Sequence, residues 1–196
     1  MDMFSTTFDY LRPGGLIMIP LIGASCWMWV LIIERGIWFA DQARRDISLR
    51  QAMDALKDRI LPTECRGLRA DLVRQFLDER TGRRDIDRRI LERHAMRARP
   101  LIRGSLAIIT TLAAVAPLFG LLGTVTGMIT TFDVISLFGT GNAKAMAGGI
   151  SEALITTQSG LLAAIPGLFM SVFLHRRATR LEGRLDETVS VLKRCL

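Results

Sequence analysis

Residues 145–174 read AMAGGISEALITTQSGLLAAIPGLFMSVFL, and Glu152 is the only ionisable side chain among them. A helix needs about 20 predominantly apolar residues to cross the hydrocarbon core of a bilayer. We therefore expect a transmembrane helix at 148–174, with Glu152 inside it. Working outward, residues 104–132 (GSLAIITTLAAVAPLFGLLGTVTGMITTF) carry no charge, and neither do residues 16–33. These predict two further spans, at 104–132 and 16–39. The chain has 196 residues, with 26 Lys+Arg against 19 Asp+Glu and a formal net charge of +7. Yet 49% of its residues are hydrophobic, and its mean hydropathy is +0.29. A chain is both basic and apolar only if the two populations are segregated along it. That arithmetic argues against a disordered chain, a secreted disulfide scaffold and an ordinary soluble enzyme.

The hydrophilic stretches set the organisation. Residues 40–103 form a polar segment, and its part from 41 onward carries 17 Lys+Arg against 11 Asp+Glu. Leu49, Met53 and Leu56 recur at helical spacing, as do Leu68, Leu72, Phe76 and Leu77, and later Ile86, Ile90 and Leu91. Pro62 and Gly82 punctuate these stretches. They predict two short amphipathic helices and a third that begins near Asp85 and runs into the membrane. Residues 133–147 form a short connection, and residues 175–196 a polar tail in which Leu181, Leu185, Val189 and Leu192 make an apolar stripe. Lys and Arg are retained on the cytoplasmic side of a membrane. The N-terminal lead (1–15) and the 133–147 connection hold only Arg12 and Lys144, whereas 41–103 and the tail hold 23 Lys+Arg. The expected topology puts the N-terminus and the connection in the periplasm and the C-terminus in the cytoplasm.

The fold class predicted is thus an all-α membrane protein. It has three transmembrane helices, and the second and third extend as long helices into a cytoplasmic helical domain. The segment before the first span has Asp2 and Asp9 against Arg12, which is not the basic start of a cleaved signal peptide. Cys26, Cys65 and Cys195 make no metal or disulfide pattern. The positive charge is spent on membrane topology, so no nucleic acid is expected. There is no nucleophile–base set, no metal cluster and no phosphate-binding loop; Gly139-Thr140-Gly141 reads as a turn. No cofactor and no enzymatic activity are expected.

The second span carries a stripe: Thr110, Ala113, Pro117, Gly120, Thr124, Gly127 and Thr131 step alternately by three and four residues. All fall on one face of a helix. Small residues let helices approach closely, and hydroxyls bond across the contact or line a wet cavity. Both readings, tight packing and a polar path, are open from the stripe alone. The third span adds Gly149, Thr156, Ser159, Gly160, Ala163 and Gly167 on the general face of Glu152. A charge inside a span is costly and typically faces a bundle interior or a water path. Glu152 therefore reads as a proton-path group, or else as a solvated group at the outer interface. A Na⁺ site using Thr124, Thr156 and Thr157 is a further option. Pro117 and Pro166 interrupt the hydrogen bonding of their helices and serve as static kinks or as hinges.

The strings VAPLFGLLGTVTGM (115–128) and GGISEALITTQSGLLAAIPG (148–167) resemble the MotA/TolQ/ExbB proton-channel family, most of all its ExbB branch. Ile33-Glu34-Arg35 and the three-span plan are similar too. The resemblance implies an inner-membrane motor subunit that forms homopentamers around an ExbD-type single-span partner. It also implies a TonB-type protein that carries the motion outward. Glu152 matches the family's E-A-L glutamate, Thr124 the threonine of its G-T-V motif, and Thr157 the threonine five residues after the glutamate. These would line the proton path. Gln158 and Ser159 stand where many members are apolar or small. Four-span flagellar stators fit less well than a three-span plan, and a TolQ-like role shares the same motifs. A non-conducting membrane scaffold is the alternative from another class.

Overall fold

The computed structural model describes residues 15–58, 67–139 and 142–196. Residues 1–14 of the N-terminal lead, Pro62, Cys65 and Thr140-Gly141 of the expected turn lie outside them. Among the described residues the chain has no strand. Six α-helices follow one another among the described residues: α1 (Met18–Arg45), α2 (Leu49–Asp58), α3 (Leu68–Glu79), α4 (Arg84–Arg103), α5 (Leu106–Phe138) and α6 (Ala143–Cys195). Three of the helical stretches are long and apolar enough to cross a membrane: α1, α5 with its α4 extension, and α6. At 1.5 Å per residue, α6 is about 80 Å long, well beyond the roughly 30 Å of a bilayer core. The chain divides into two compact units, one of residues 15–32 and 107–171 and one of residues 33–106 and 172–196.

The first unit is apolar. Its internal contact is made by small residues: Ala113, Ala116, Gly120, Gly123, Gly127 and Thr131 of α5 are buried, as are Gly149, Ala153, Thr156, Gly160, Ala164 and Gly167 of α6. Met18 and Leu21 of α1 cluster with Ala116 and Ala164. The large apolar side chains point the other way, and Leu162 and Phe169 are 74% and 75% exposed. A water-soluble domain would bury such residues. A bilayer or further copies of the chain suit them. Helices α5 and α6 run through Pro117 and Pro166 without ending.

The second unit is built from amphipathic helices. Leu68, Leu72, Val73 and Phe76 of α3 and Leu91, Ala95 and Ile102 of α4 are buried. So are Leu181, Leu185, Val189 and Leu192 of α6, the stripe legible in the tail. The start of α3 is capped from the end of α1: Leu68 N–H donates to Gln42 Oε1 at 2.9 Å and Arg69 N–H to Asp46 Oδ1 at 3.0 Å. These bonds satisfy amides that have no partner inside α3. Burial pushes the Asp46 carboxyl up from its ordinary value, against the pull of the bonds from Arg69 and Ile47.

The helix expected to begin near Asp85 starts at Arg84 and breaks at Gly104, the first residue of the uncharged stretch. Gly104 has φ +26°, a conformation that disfavours any side chain, and its N–H bonds back to the Pro100 carbonyl at 2.8 Å. The Leu101 carbonyl, left free by the break, accepts from Arg35 Nη1 at 3.1 Å. The Arg35 guanidinium also lies 5.4 Å from the Trp38 ring centre, within cation–π range.

Candidate functional site

Glu152 stands in the second turn of the apolar part of α6 and is half-buried. Its carboxylate rests on the backbone of Gly15, just before α1. A Cβ placed on Gly15 would fall 1.8 Å from Glu152 Oε1, and Gly15 has φ +68°. Gly15 is thus doubly specified, by conformation and by the carboxylate beside it. The Gly15 carbonyl is engaged in turn, accepting from Met18 N–H at 3.2 Å.

Thr156 and Thr157 point elsewhere. Thr156 is completely buried against α5, where a Cβ on Gly123 would strike its side chain at 2.3 Å. Its hydroxyl donates to the Glu152 carbonyl at 2.5 Å, tying the turn that carries the glutamate. The Thr157 hydroxyl lies 3.1 Å from the carbonyls of both Ala153 and Gly120, so it links α6 to α5. Thr124, one turn beyond Gly120, is half-buried and donates to its own helix at the Leu121 carbonyl, 2.6 Å away. A five-residue step turns a helix by about 140° beyond a full turn. Glu152 and Thr157 therefore lie on different flanks of α6, one towards α1 and one towards α5. Within one chain, Thr124 and Thr157 share the neighbourhood of Gly120, and Glu152 is apart from them.

Ser159 lies on the α1 flank. With Met18, Cys26, Trp29 and Pro166 it lines a largely apolar groove of about 460 Å³. The expected contact glycines take their places between α5 and α6. A Cβ on Gly160 would lie 2.8 Å from the Ala116 carbonyl, and one on Gly127 would lie 2.9 Å from the Gly149 carbonyl. A Cβ on Gly120 would lie 3.1 Å from Thr157 Cα, and one on Gly149 would lie 2.2 Å from the Thr131 hydroxyl. Backbone thus approaches backbone along the whole contact, which is what small residues at a membrane helix interface permit.

The sequence reading missed Gly15, Gly123 and Ser171. Ser171 lies 2.7 Å, hydroxyl to hydroxyl, from Thr110. Its signal was available, since it continues the Gly160, Ala164, Gly167 series by one more turn. Gly123 sits beside the stripe and Gly15 is distant in sequence, so neither was marked by periodicity. Among the described residues no group of three or more His, Cys, Asp or Glu is placed to hold a metal ion.

Comparison with known proteins adds the family context. The sequence pattern of the MotA/TolQ/ExbB proton channel family matches residues 52–187. The biopolymer transport protein ExbB of Salmonella typhimurium is 31% identical over 195 residues, covering 89% of this chain and 78% of that protein. The ExbB-like protein 1 of Synechocystis is 34% identical, over 83% of this chain and 68% of its own length. ExbB of Pseudomonas putida is 32% identical over 78% of this chain and half of its own length.

Proposed function

The chain belongs to the MotA/TolQ/ExbB proton channel family, and from that premise we propose that it is the ExbB-type subunit of an inner-membrane motor. It is a channel-family membrane protein and not an enzyme. In this reading, copies of the chain form a ring, a pentamer by likeness to the family, and enclose an ExbD-type single-span partner. Protons cross through the pore, and the motion they drive is passed to a TonB-type protein for import across the outer membrane. The N-terminus and the 133–147 connection are periplasmic, and residues 40–103 and 175–196 are cytoplasmic.

One observation carries this reading. Glu152 is the sole ionisable group in the 30 residues from Ala145 to Leu174, in a family named for conducting protons. Thr124, Thr157 and Ser159 supply hydroxyls that can hand protons or water along the path, while Thr156, fully buried against α5, holds the turn that carries Glu152. Within one chain these hydroxyls lie on different flanks. A lumen shared by neighbouring copies of α5 and α6 supports their assignment, because a closed ring of identical chains gathers flanks that one chain separates.

The test is import. In a strain that depends on this gene, Glu152→Ala at unchanged expression abolishes TonB-dependent uptake of an iron chelate. Full uptake by the variant removes Glu152 from the mechanism. Detergent sensitivity and division defects on deletion, with iron uptake intact, would move the assignment to a TolQ-like role.

A further inference from the structure

Residues of α1 and α6 in the second unit enclose a groove of about 350 Å³ whose walls are arginines. Arg44 comes from α1, and Arg177, Arg180 and Arg184 come from α6. Its floor includes Phe39 and Leu181, both buried. Arg45, Arg69, Arg74, Arg93, Arg99 and Arg103 each have a carboxylate partner. Among the described residues, none of the four arginines of the groove has one. Four like charges around one small groove repel one another, so their gathering favours an anion between them.

The place of the groove says which anion. Leu174 ends the apolar stretch of α6. Arg177 and Arg180 follow it by roughly 5 and 9 Å along the helix axis. The polar headgroup layer of a bilayer extends about 5–8 Å beyond the hydrocarbon on each side. Next to the groove, Ile37 and Phe173 are exposed apolar residues, and the Arg177 guanidinium lies 4.6 Å from the Phe173 ring centre. An arginine held on an aromatic face keeps its edge N–H groups free for bidentate contact with a phosphate. Basic clusters next to a span attract anionic lipids. We propose that this groove is a binding site for an anionic phospholipid, with the headgroup phosphodiester among Arg44, Arg177, Arg180 and Arg184 and the acyl chains beside Ile37 and Phe173.

The test uses the purified full chain in mixed micelles. Lipid retention is read by native mass spectrometry with phosphatidylglycerol or zwitterionic phosphatidylcholine. The wild type retains phosphatidylglycerol about 10-fold better than phosphatidylcholine, because both carry the phosphodiester but the choline ammonium of the second offsets its charge beside the arginines. Arg180→Gln with Arg184→Gln removes that preference, and Arg180→Lys with Arg184→Lys keeps most of it, which separates charge from folding. Millimolar inorganic phosphate leaves the bound lipid in place. Three results would overturn the proposal: equal retention of both lipids by the wild type, displacement by free phosphate, or a glutamine variant that keeps its preference. A glutamine variant that loses copies from the assembly with lipid retention unchanged would also overturn it, making the groove a contact between chains.

Discussion

At Asp87 two large effects oppose each other, and the result is measurable. The residue is 1% exposed, and burial alone would push its carboxyl up. The Thr81 N–H and hydroxyl, at 2.8 and 2.9 Å, and the Gly82 N–H at 3.1 Å all donate to it, with Arg80 nearby. Together they win, and its pKa falls below the ordinary 3.8. A group with a lowered folded pKa contributes stability above its unfolded value and loses it as the pH falls through the folded one. Asp87→Ala should therefore destabilise the α3–α4 turn by about 1–3 kcal/mol at neutral pH. Hydrogen exchange at residues 80–87 of the full chain reads this, and Asp87→Asn should flatten the loss of protection on acidification below pH 4 or so. A second prediction at this scale concerns Gly15. Gly15→Ala meets both a positive φ and the Glu152 carboxylate, whereas a Cβ on Gly23 meets nothing within 4 Å. Gly15→Ala should impair import and Gly23→Ala should not; equal activity of the two would show that the Gly15–Glu152 contact is dispensable. Glu152 itself was legible in the sequence as a lone charge in an apolar stretch. Its neighbour Gly15 was not, because no local pattern records a contact made across the fold.

At the scale of elements, the three-and-four stepping of small residues is a record of how closely α5 and α6 approach. Thr157→Val removes the bond to the Gly120 carbonyl and should cost about 0.6–1.7 kcal/mol, the range of interhelical bonds in membranes. Gly160→Leu must instead move backbone, because even a Cβ there reaches the Ala116 carbonyl. It should lower the melting temperature of the detergent-solubilised chain well beyond the Thr157 variant; the reverse order would contradict the packing described. The stripe was readable because helical period and side-chain size are both local properties. The break at Gly104 was not, although Pro100 and Gly104 are both visible in the sequence. What makes the break stable is Arg35, which supplies the Leu101 carbonyl with a donor from a different helix.

For the whole molecule, the unresolved balance is between exposed apolar surface and what covers it. Leu118, Leu121 and Val125 of α5 and Leu154, Leu161 and Ile165 of α6 all remain exposed in one chain. Lipid covers such residues, and so do further copies. The separation of Glu152 from Thr124 and Thr157 within one chain favours copies on part of this surface. A mass measurement on the purified complex should give the proposed ring of five chains with the proposed single-span partner inside; a monomer of full activity would contradict the ring. Proton carriage by Glu152 is read most directly as flux. The complex of this chain with the proposed single-span partner, reconstituted in liposomes under an imposed pH gradient, should pass protons with wild-type Glu152 and fail to do so with Glu152→Ala at equal incorporation. Equal flux through both would contradict the account.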